Sequence, residues 1–294
     1  MAMNLSSLTA YVDEQKSELI KKSILGAESI KYLNLMSGVV GETALNLLNT
    51  SVTLGNGKVC GFSDGTEQTI SQRNIVPALV KVNAEWCDKD FADYYMNHEV
   101  RMAAGKTNLP FEEEFIADIV ANVDRQVEDA IWRGLTISGV SYAGLYQCVS
   151  GVTAVTAGSS VYKSVLAVYN AIPAENLFED EIFCGQDTFR ELVLELVAKN
   201  LYHYDATVEE GMTLVIPGTR TKIHGVPGLN GQINSKRHII ALNPAHTFYG
   251  TDMANDKETF DFWFSKDNDT FRLKIAFSLG VQVAFLDEVA RVEW

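Results

Sequence analysis

From Phe271 to Phe285 every odd position is apolar (Phe271, Leu273, Ile275, Phe277, Leu279, Val281, Val283, Phe285), a period of two that predicts one long strand with all eight side chains on one face. At about 3.3 Å per residue such a strand spans about 50 Å and needs a long partner, with Gly280 placed for a bend or bulge. The segment Thr259-Phe260-Asp261-Phe262-Trp263-Phe264, joined through residues 265–269, is predicted to supply that partner as a hairpin. A second clean alternation puts Val80, Val82, Ala84 and Trp86 on one face and Lys81, Asn83 and Glu85 on the other, the pattern of a half-buried strand.

The period changes after Asn108-Leu109-Pro110. Pro suits a first helical turn, and Glu112, Glu113, Glu114 and Asp118 complement the positive end of the helix dipole, so a helix is predicted to about Arg133-Gly134. Its apolar row, Phe111, Phe115, Ile119, Val123, Val127 and Ile131, recurs every fourth residue and drifts by about 40° per step, so it should meet successive partners. Further along, Val161 to Ile172 and Thr188 to Asn200 read as amphipathic helices. Glu181–Gly185, Leu214–Ile216 and His238–Leu242 read as short strands, with a glycine-punctuated, loop-rich stretch before the last. This middle portion is predicted to be an α/β unit. Before residue 46 the pattern suggests helical pieces joined by Gly26, Gly38 and Gly41. A hairpin is expected over roughly 60–84, with turns at Gly55-Asn56-Gly57 and Asp64-Gly65-Thr66.

Composition narrows the classes. The 294 residues are 47% hydrophobic and 21% charged, values of a globular chain. A net charge of −14 disfavours direct binding to nucleic acid or anionic lipid. The acidity is local, because residues 111–215 hold 17 acidic and 5 basic groups, a balance of −12. Four widely spaced cysteines form neither a CxxC pair nor a disulfide framework, and neither a secretory leader nor an eighteen-residue apolar run is recognisable, so a reducing interior is expected and no membrane partner.

Candidate chemistry is sparse. Gly139-Val140-Ser141-Tyr142-Ala143-Gly144 has its second glycine displaced from nucleophile-elbow spacing, and no apolar strand leads into it. Gly55-Asn56-Gly57-Lys58-Val59-Cys60-Gly61 is followed by a strand where a phosphate loop requires a helix. The five histidines lack metal-ligand spacing, and His98-Glu99 lacks a second histidine. No catalytic residue, metal site or cofactor is assigned. A hydrolase using Ser141 or His98 is the remaining enzymatic reading, tested by alanine substitution at both.

The order of elements resembles the major capsid proteins of tailed phages with the Hong Kong 97-type fold. Local matches are carried by Thr69-Ile70-Ser71-Gln72-Arg73-Asn74-Ile75 through Val80 to Phe91, by Pro110-Phe111-Glu112-Glu113 through Glu128-Asp129-Ala130-Ile131-Trp132-Arg133-Gly134, and by Ile223-His224-Gly225-Val226-Pro227-Gly228-Leu229. Asn243-Pro244 onward to Gly280-Val281-Gln282 completes the set, and the segments look closest to capsid proteins of phages infecting gut Bacteroidetes. The resemblance implies an α+β fold with an N-terminal arm (1–50), an extended loop (51–86), a peripheral domain with a long spine helix (87–150 and 251–294) and an inserted axial domain (151–250). It also implies a structural, non-enzymatic role: pentamers and hexamers of this chain closing into an icosahedral head around double-stranded DNA, assembled in the host cytoplasm. Portal, scaffolding and decoration proteins are the further partners it suggests. A bacterial encapsulin-type compartment shell is the alternative. The inter-subunit residues it points to are Asp64, Gly65, Thr66, Gln68, Gln72 and Arg73 in the loop, with Asp205, Glu209, Gln232 and Lys236 near the axial tip.

Overall fold

The computed structural model describes residues 25–52, 66–87, 95–100, 111–137, 140–200, 212–252 and 259–294, with isolated positions between 12 and 22. In chain order the first strands are β1 (Asn34–Ser37), β2 (Thr43–Val52), β3 (Thr66–Ile75) and β4 (Ala78–Cys87), followed by the long helix α1 (Phe111–Arg133). A small hairpin of β5 (Leu135–Ile137) and β6 (Val140–Tyr142) precedes helices α2 (Leu145–Cys148) and α3 (Val161–Ala171). Then come β7 (Glu181–Gly185), helix α4 (Gln186–Ala198), β8 (Thr213–Val215), β9 (Lys222–Val226) and β10 (His238–Leu242). The chain closes with β11 (Thr247–Thr251), β12 (Thr259–Ser265), β13 (Thr270–Val283) and β14 (Ala290–Glu293).

The predicted long strand is β13, and it organises the first sheet. One edge pairs antiparallel with β12 and then with β11, and the other pairs with β4 over Ala78–Cys87, while β1 adds parallel to β11. Its odd residues are buried, and the predicted hairpin with Thr259–Phe264 forms as expected. Strand β4 also keeps its predicted alternation, with Val80, Val82, Ala84 and Trp86 half-buried and their neighbours exposed.

The pairing upstream differs from the hairpin expected at 60–84. Strand β3 turns back on β2, from Thr43 opposite Ile75 to Val52 opposite Thr66, while β4 leaves through Val76-Pro77 to join β13. Pro77 lacks a backbone N–H, which suits a break between strands that serve different sheets. The arm is likewise only partly helical. Described positions between Val12 and Leu25 are helical, but Asn34–Ser37 and Thr43–Val52 are extended, because Leu45 and Leu47 find a buried apolar surface that local propensity does not reveal.

At the root of the β2–β3 ribbon, Gly250 pairs with Gly280 across β11 and β13. A Cβ on Gly280 would lie 3.0 Å from Ile75 Cγ2 and 3.1 Å from Pro77 Cα, so this glycine permits close approach in a continuous ladder and makes no bulge. Gly280→Val is therefore expected to lower stability by about 1–3 kcal/mol, read as a reduced midpoint in thermal unfolding.

Helix α1 starts and stops close to prediction. Gly134, at φ +75°, accepts the left-handed position after the last turn, and its N–H donates to the Ala130 carbonyl at 2.9 Å. The buried line is Ile116, Val120, Val123 and Val127, widening to Ala130, Ile131 and Trp132, while Phe115 and Ile119 of the every-fourth row are only half-buried. Steps alternating between three and four residues keep a side chain on one line of a 3.6-residue helix, and a fixed step of four does not. Successive partners are nevertheless met: Phe115 packs edge-on to Trp86 of β4 at 5.2 Å, and Trp132 lies 5.5 Å from Phe183 of β7.

The predicted α/β unit is the second sheet, in the order β14-β10-β7-β9-β8. Helix α4 crosses between β7 and β9, which run parallel. Strands β7 and β10 read as continuous apolar runs because both faces are covered. Ile182, Cys184, Ile239 and Ala241 join the core shared with α3 and α4, whereas Phe183, Ile240 and Leu242 belong to the core around α1. Strand β9 lies in the stretch that periodicity reads as loop, although the Ile223–Leu229 match anticipates a strand. The terminal segment 290–293 adds to the second sheet beside β10, while β12 and β13 belong to the first.

Candidate inter-subunit surface

The β2–β3 ribbon is rooted in a small core. Ile75 is fully buried, with Val39, Leu45, Leu47 and Ala284 around it and Met36, Phe248 and Phe285 packed alongside. Gln282 Nε2 donates to the Asn74 carbonyl at 2.8 Å, tying the root to β13. Beyond this root, among the described residues, the outward face of the ribbon is left exposed. Residues of one parity point outward together: Asn46 opposite Gln72, Leu48 opposite Ile70, Thr50 opposite Gln68, and Val52 at the pair with Thr66. Leu48, Val52 and Ile70 are 59%, 67% and 80% exposed, an apolar stripe framed by amides and hydroxyls.

The residues proposed from sequence fall in three places. Gln68 and Gln72 are exposed and flank Ile70 on the outward face. Arg73 sits on the opposite face, half-buried, with Nη1 shielded from solvent and close enough to Cys148 to act on that thiol, which burial nonetheless pushes up to about 11. Thr66 opens β3 opposite Val52. Gln232 and Lys236 are exposed around a tight turn whose Asn234 and Ser235 both have positive φ. That turn is held inside the chain: Lys236 Nζ meets Glu293 at 2.6 Å, and Asn234 Nδ2 donates to Tyr146 Oη at 3.4 Å. Asp64, Gly65, Asp205 and Glu209 lie outside the described residues. Leu48, Val52 and Ile70 lie outside the set the sequence points to. Their sequence signal is weak, a lone Ile70 within the polar run 66–74 and Leu48 and Val52 two places either side of Thr50.

A buried polar knot ties residue 29 of the arm to the long helix. Glu128, on the inner side of α1, accepts from Ser29 N at 2.9 Å, from Ser29 Oγ, and from Gly228 N at 3.4 Å, and Ser29 Oγ in turn accepts from Trp132 Nε1 at 2.7 Å. Burial raises the Glu128 carboxyl above its ordinary value, and the donors from Ser29 and Gly228 oppose that rise. Gly228 must be glycine in this packing, since a Cβ there would strike the Trp132 ring and the Glu128 carbonyl. Arm, long helix and second sheet thus share one hydrogen-bonded centre. The arm also lays Tyr32 over His224, ring centroids 4.1 Å apart, and His224 Nε2 meets Glu181 at 3.0 Å.

Ser141 is exposed in β6 opposite Thr136, and His98 lies 3.3 Å from Glu114 of α1. Among the described residues no group of three His, Cys, Asp or Glu side chains is placed to hold a metal ion, and no helix is long and apolar enough to cross a membrane.

No family model and no curated protein sequence matches the chain. Solved structures do. The chain is similar to a chain of Mycobacterium phage Ogopogo, with a TM-score of 0.62 and 11% identity over 91% of each chain. It is also similar to a chain of the satellite phage P4 procapsid, with a TM-score of 0.57 and 11% identity over 100% of this chain and 98% of that one. A third match is a chain of the capsid of Myoviridae phage XM1, with a TM-score of 0.57 and 8% identity over 89% and 88%. The fold is therefore one found in phage capsids, a mixed α and β architecture covered from end to end.

Proposed function

We propose that this chain is the major capsid protein of a tailed bacteriophage, and that its copies gather as pentamers and hexamers that close into an icosahedral head around double-stranded DNA. The observation that carries the reading is the ribbon: two ten-residue strands with an exposed Leu48–Ile70–Val52 stripe that no other described residue covers. An isolated two-stranded ribbon is marginal in water, and long exposed edges invite pairing with another chain. Laid across a neighbouring copy, the stripe becomes buried and the amides of Gln68 and Gln72 meet polar groups at its rim.

On this reading residues 51–86 are the extended loop, with β3 of the ribbon inside it, α1 is the spine, and residues 151–250, which hold most of the second sheet with α3 and α4, are the axial domain. Asp205, Glu209, Gln232 and Lys236 are assigned to contacts around the capsomer axis. Part of the acidic 111–215 segment is assigned to the lumen, where a surface without excess Lys and Arg leaves packaged DNA free to move. The protein is then a virion component assembled in the host cytoplasm, with portal, scaffolding and decoration proteins as partners, and it needs no enzymatic activity. The likeness to capsids of phages infecting gut Bacteroidetes rests on the sequence segments alone. An encapsulin-type shell would share the architecture, but no feature described here favours cargo enclosure over a phage head.

The test is expression of the full chain followed by size exclusion and electron microscopy, with portal and scaffolding proteins added where a scaffold is required. Regular closed particles are expected. A monodisperse monomer under all of these conditions would defeat the reading, and particles that copurify with an enzyme and never with nuclease-protected DNA would transfer it to the compartment class.

A further inference from the structure

The chain crosses between the two sheets twice at one place, from β10 through residues 243–246 into β11, and back from β13 through residues 284–289 into β14. The crossings are tied side by side. The Ala284 N–H donates to the His246 carbonyl at 2.9 Å, the His246 ring meets Glu288 through Nδ1 at 2.6 Å, and Asn243 Nδ2 donates to Glu179 at 3.2 Å.

Asp180, the residue before β7, is buried against this seam at 1% exposure. Its backbone N–H donates to the Asn176 carbonyl, yet among the described residues neither carboxylate oxygen meets a donor. The titratable groups that act on it are Glu288 from the returning crossing, Glu179 from its own turn, and His246 from the outgoing crossing, whose Nδ1 already faces Glu288. A third negative charge here would be buried without a hydrogen bond beside two like charges, the circumstance in which a carboxyl keeps its proton. Burial first, then Glu288 and Glu179, hold it up at about 7, with His246 opposing.

We propose that Asp180 is a proton-binding site at the seam between the two sheets: with its proton the crossings pack closed, and on losing it to solvent the seam opens more readily. The proposal stands on this chain alone and does not depend on the shell reading.

The sign follows from linkage. In an opened, hydrated seam the carboxyl returns to its ordinary 3.8, so between that value and about 7 the closed state holds a proton that the open state has released. Closure therefore weakens as pH rises through this window and levels off above it.

Hydrogen–deuterium exchange of the full-length protein tests this, with wild type and Asp180→Asn compared at each pH so that intrinsic exchange chemistry cancels. In peptides covering 243–247 and 284–289, the ratio of wild-type to variant exchange rate is expected to grow by about tenfold or more between about pH 5.5 and about pH 7, then flatten. A ratio independent of pH, or one that grows toward acid, overturns the proposal. Glu288→Gln provides a second arm should the asparagine variant not fold: removing one like charge is expected to move the levelling-off point to lower pH, and an unmoved point counts against the site.

Discussion

Ile70→Lys is expected to prevent particle formation while leaving the subunit folded. Ile70 is 80% exposed in the single chain, directly opposite Leu48, so a lysine there costs the isolated subunit little. On the proposed reading a neighbouring copy covers the same position in the shell. Burying an Ile or Leu side chain is worth about 1.5–3 kcal/mol, and a lysine in its place loses that gain and adds the cost of desolvating a charge. A loss of about 3–4 kcal/mol per contact raises the subunit concentration needed for assembly by about 100-fold to 1000-fold, since each 1.4 kcal/mol is a factor of ten. Sedimentation and negative-stain microscopy against a circular dichroism control measure both halves of the expectation. Gln68→Ala, at the rim of the same face, is expected to shift assembly far less. Particles forming normally from Ile70→Lys would remove the ribbon from the interface.

Trp132→Ala has the largest expected effect on folding. The indole is fully buried, packs 5.5 Å from Phe183, carries the Gly228 backbone on its ring and donates to Ser29 Oγ. Large-to-small replacement of a buried aromatic costs about 3–5 kcal/mol, a large share of the about 5–15 kcal/mol that holds a typical domain. Here the void would open where arm, helix and second sheet meet, so the three should loosen together. Trp132→Phe keeps most of the volume and loses only the indole N–H, for which about 1 kcal/mol is expected. Urea unfolding separates the two. Equal effects from both variants would mean that the hydrogen bond, and not the packing, holds the junction.

Much of the scaffold was legible from side-chain periodicity. The alternation in β13 and β4 is a period of two imposed by one buried and one open face, and it survives in the structure position by position. Helix α1 was bounded by its acidic first turn and Gly134, and the apolar runs of β7 and β10 marked strands covered on both sides. Strand partners were less legible. Whether β3 pairs with β2 or β4 depends on which edge of β13 is vacant, and β13 lies some 200 residues downstream. The terminal strand β14 was missed because four residues carry too little pattern, and its place is fixed by pairing with β10. At the candidate interface, the sequence points to residues of the extended loop, of which Gln68 and Gln72 lie beside Ile70 on the exposed face of β3. The apolar residues at its centre look like core residues in a linear chain, and their exposure is a property of the fold.

The sequence by itself determined where backbone hydrogen bonds would be local and which faces would be apolar, because those follow from neighbours three, four or two positions away. Only the tertiary structure decided which apolar faces find a partner within one chain. Leu45 and Leu47 were buried at the ribbon root and Leu48 was left bare one residue later, because β-strand side chains alternate and the protein's own surface ends at that point. Asp180 is the polar counterpart: an ordinary aspartate beside Glu179 in the linear chain, it was brought against Glu288 and His246, without a donor among the described residues, by the meeting of segments about 60 to 110 residues apart.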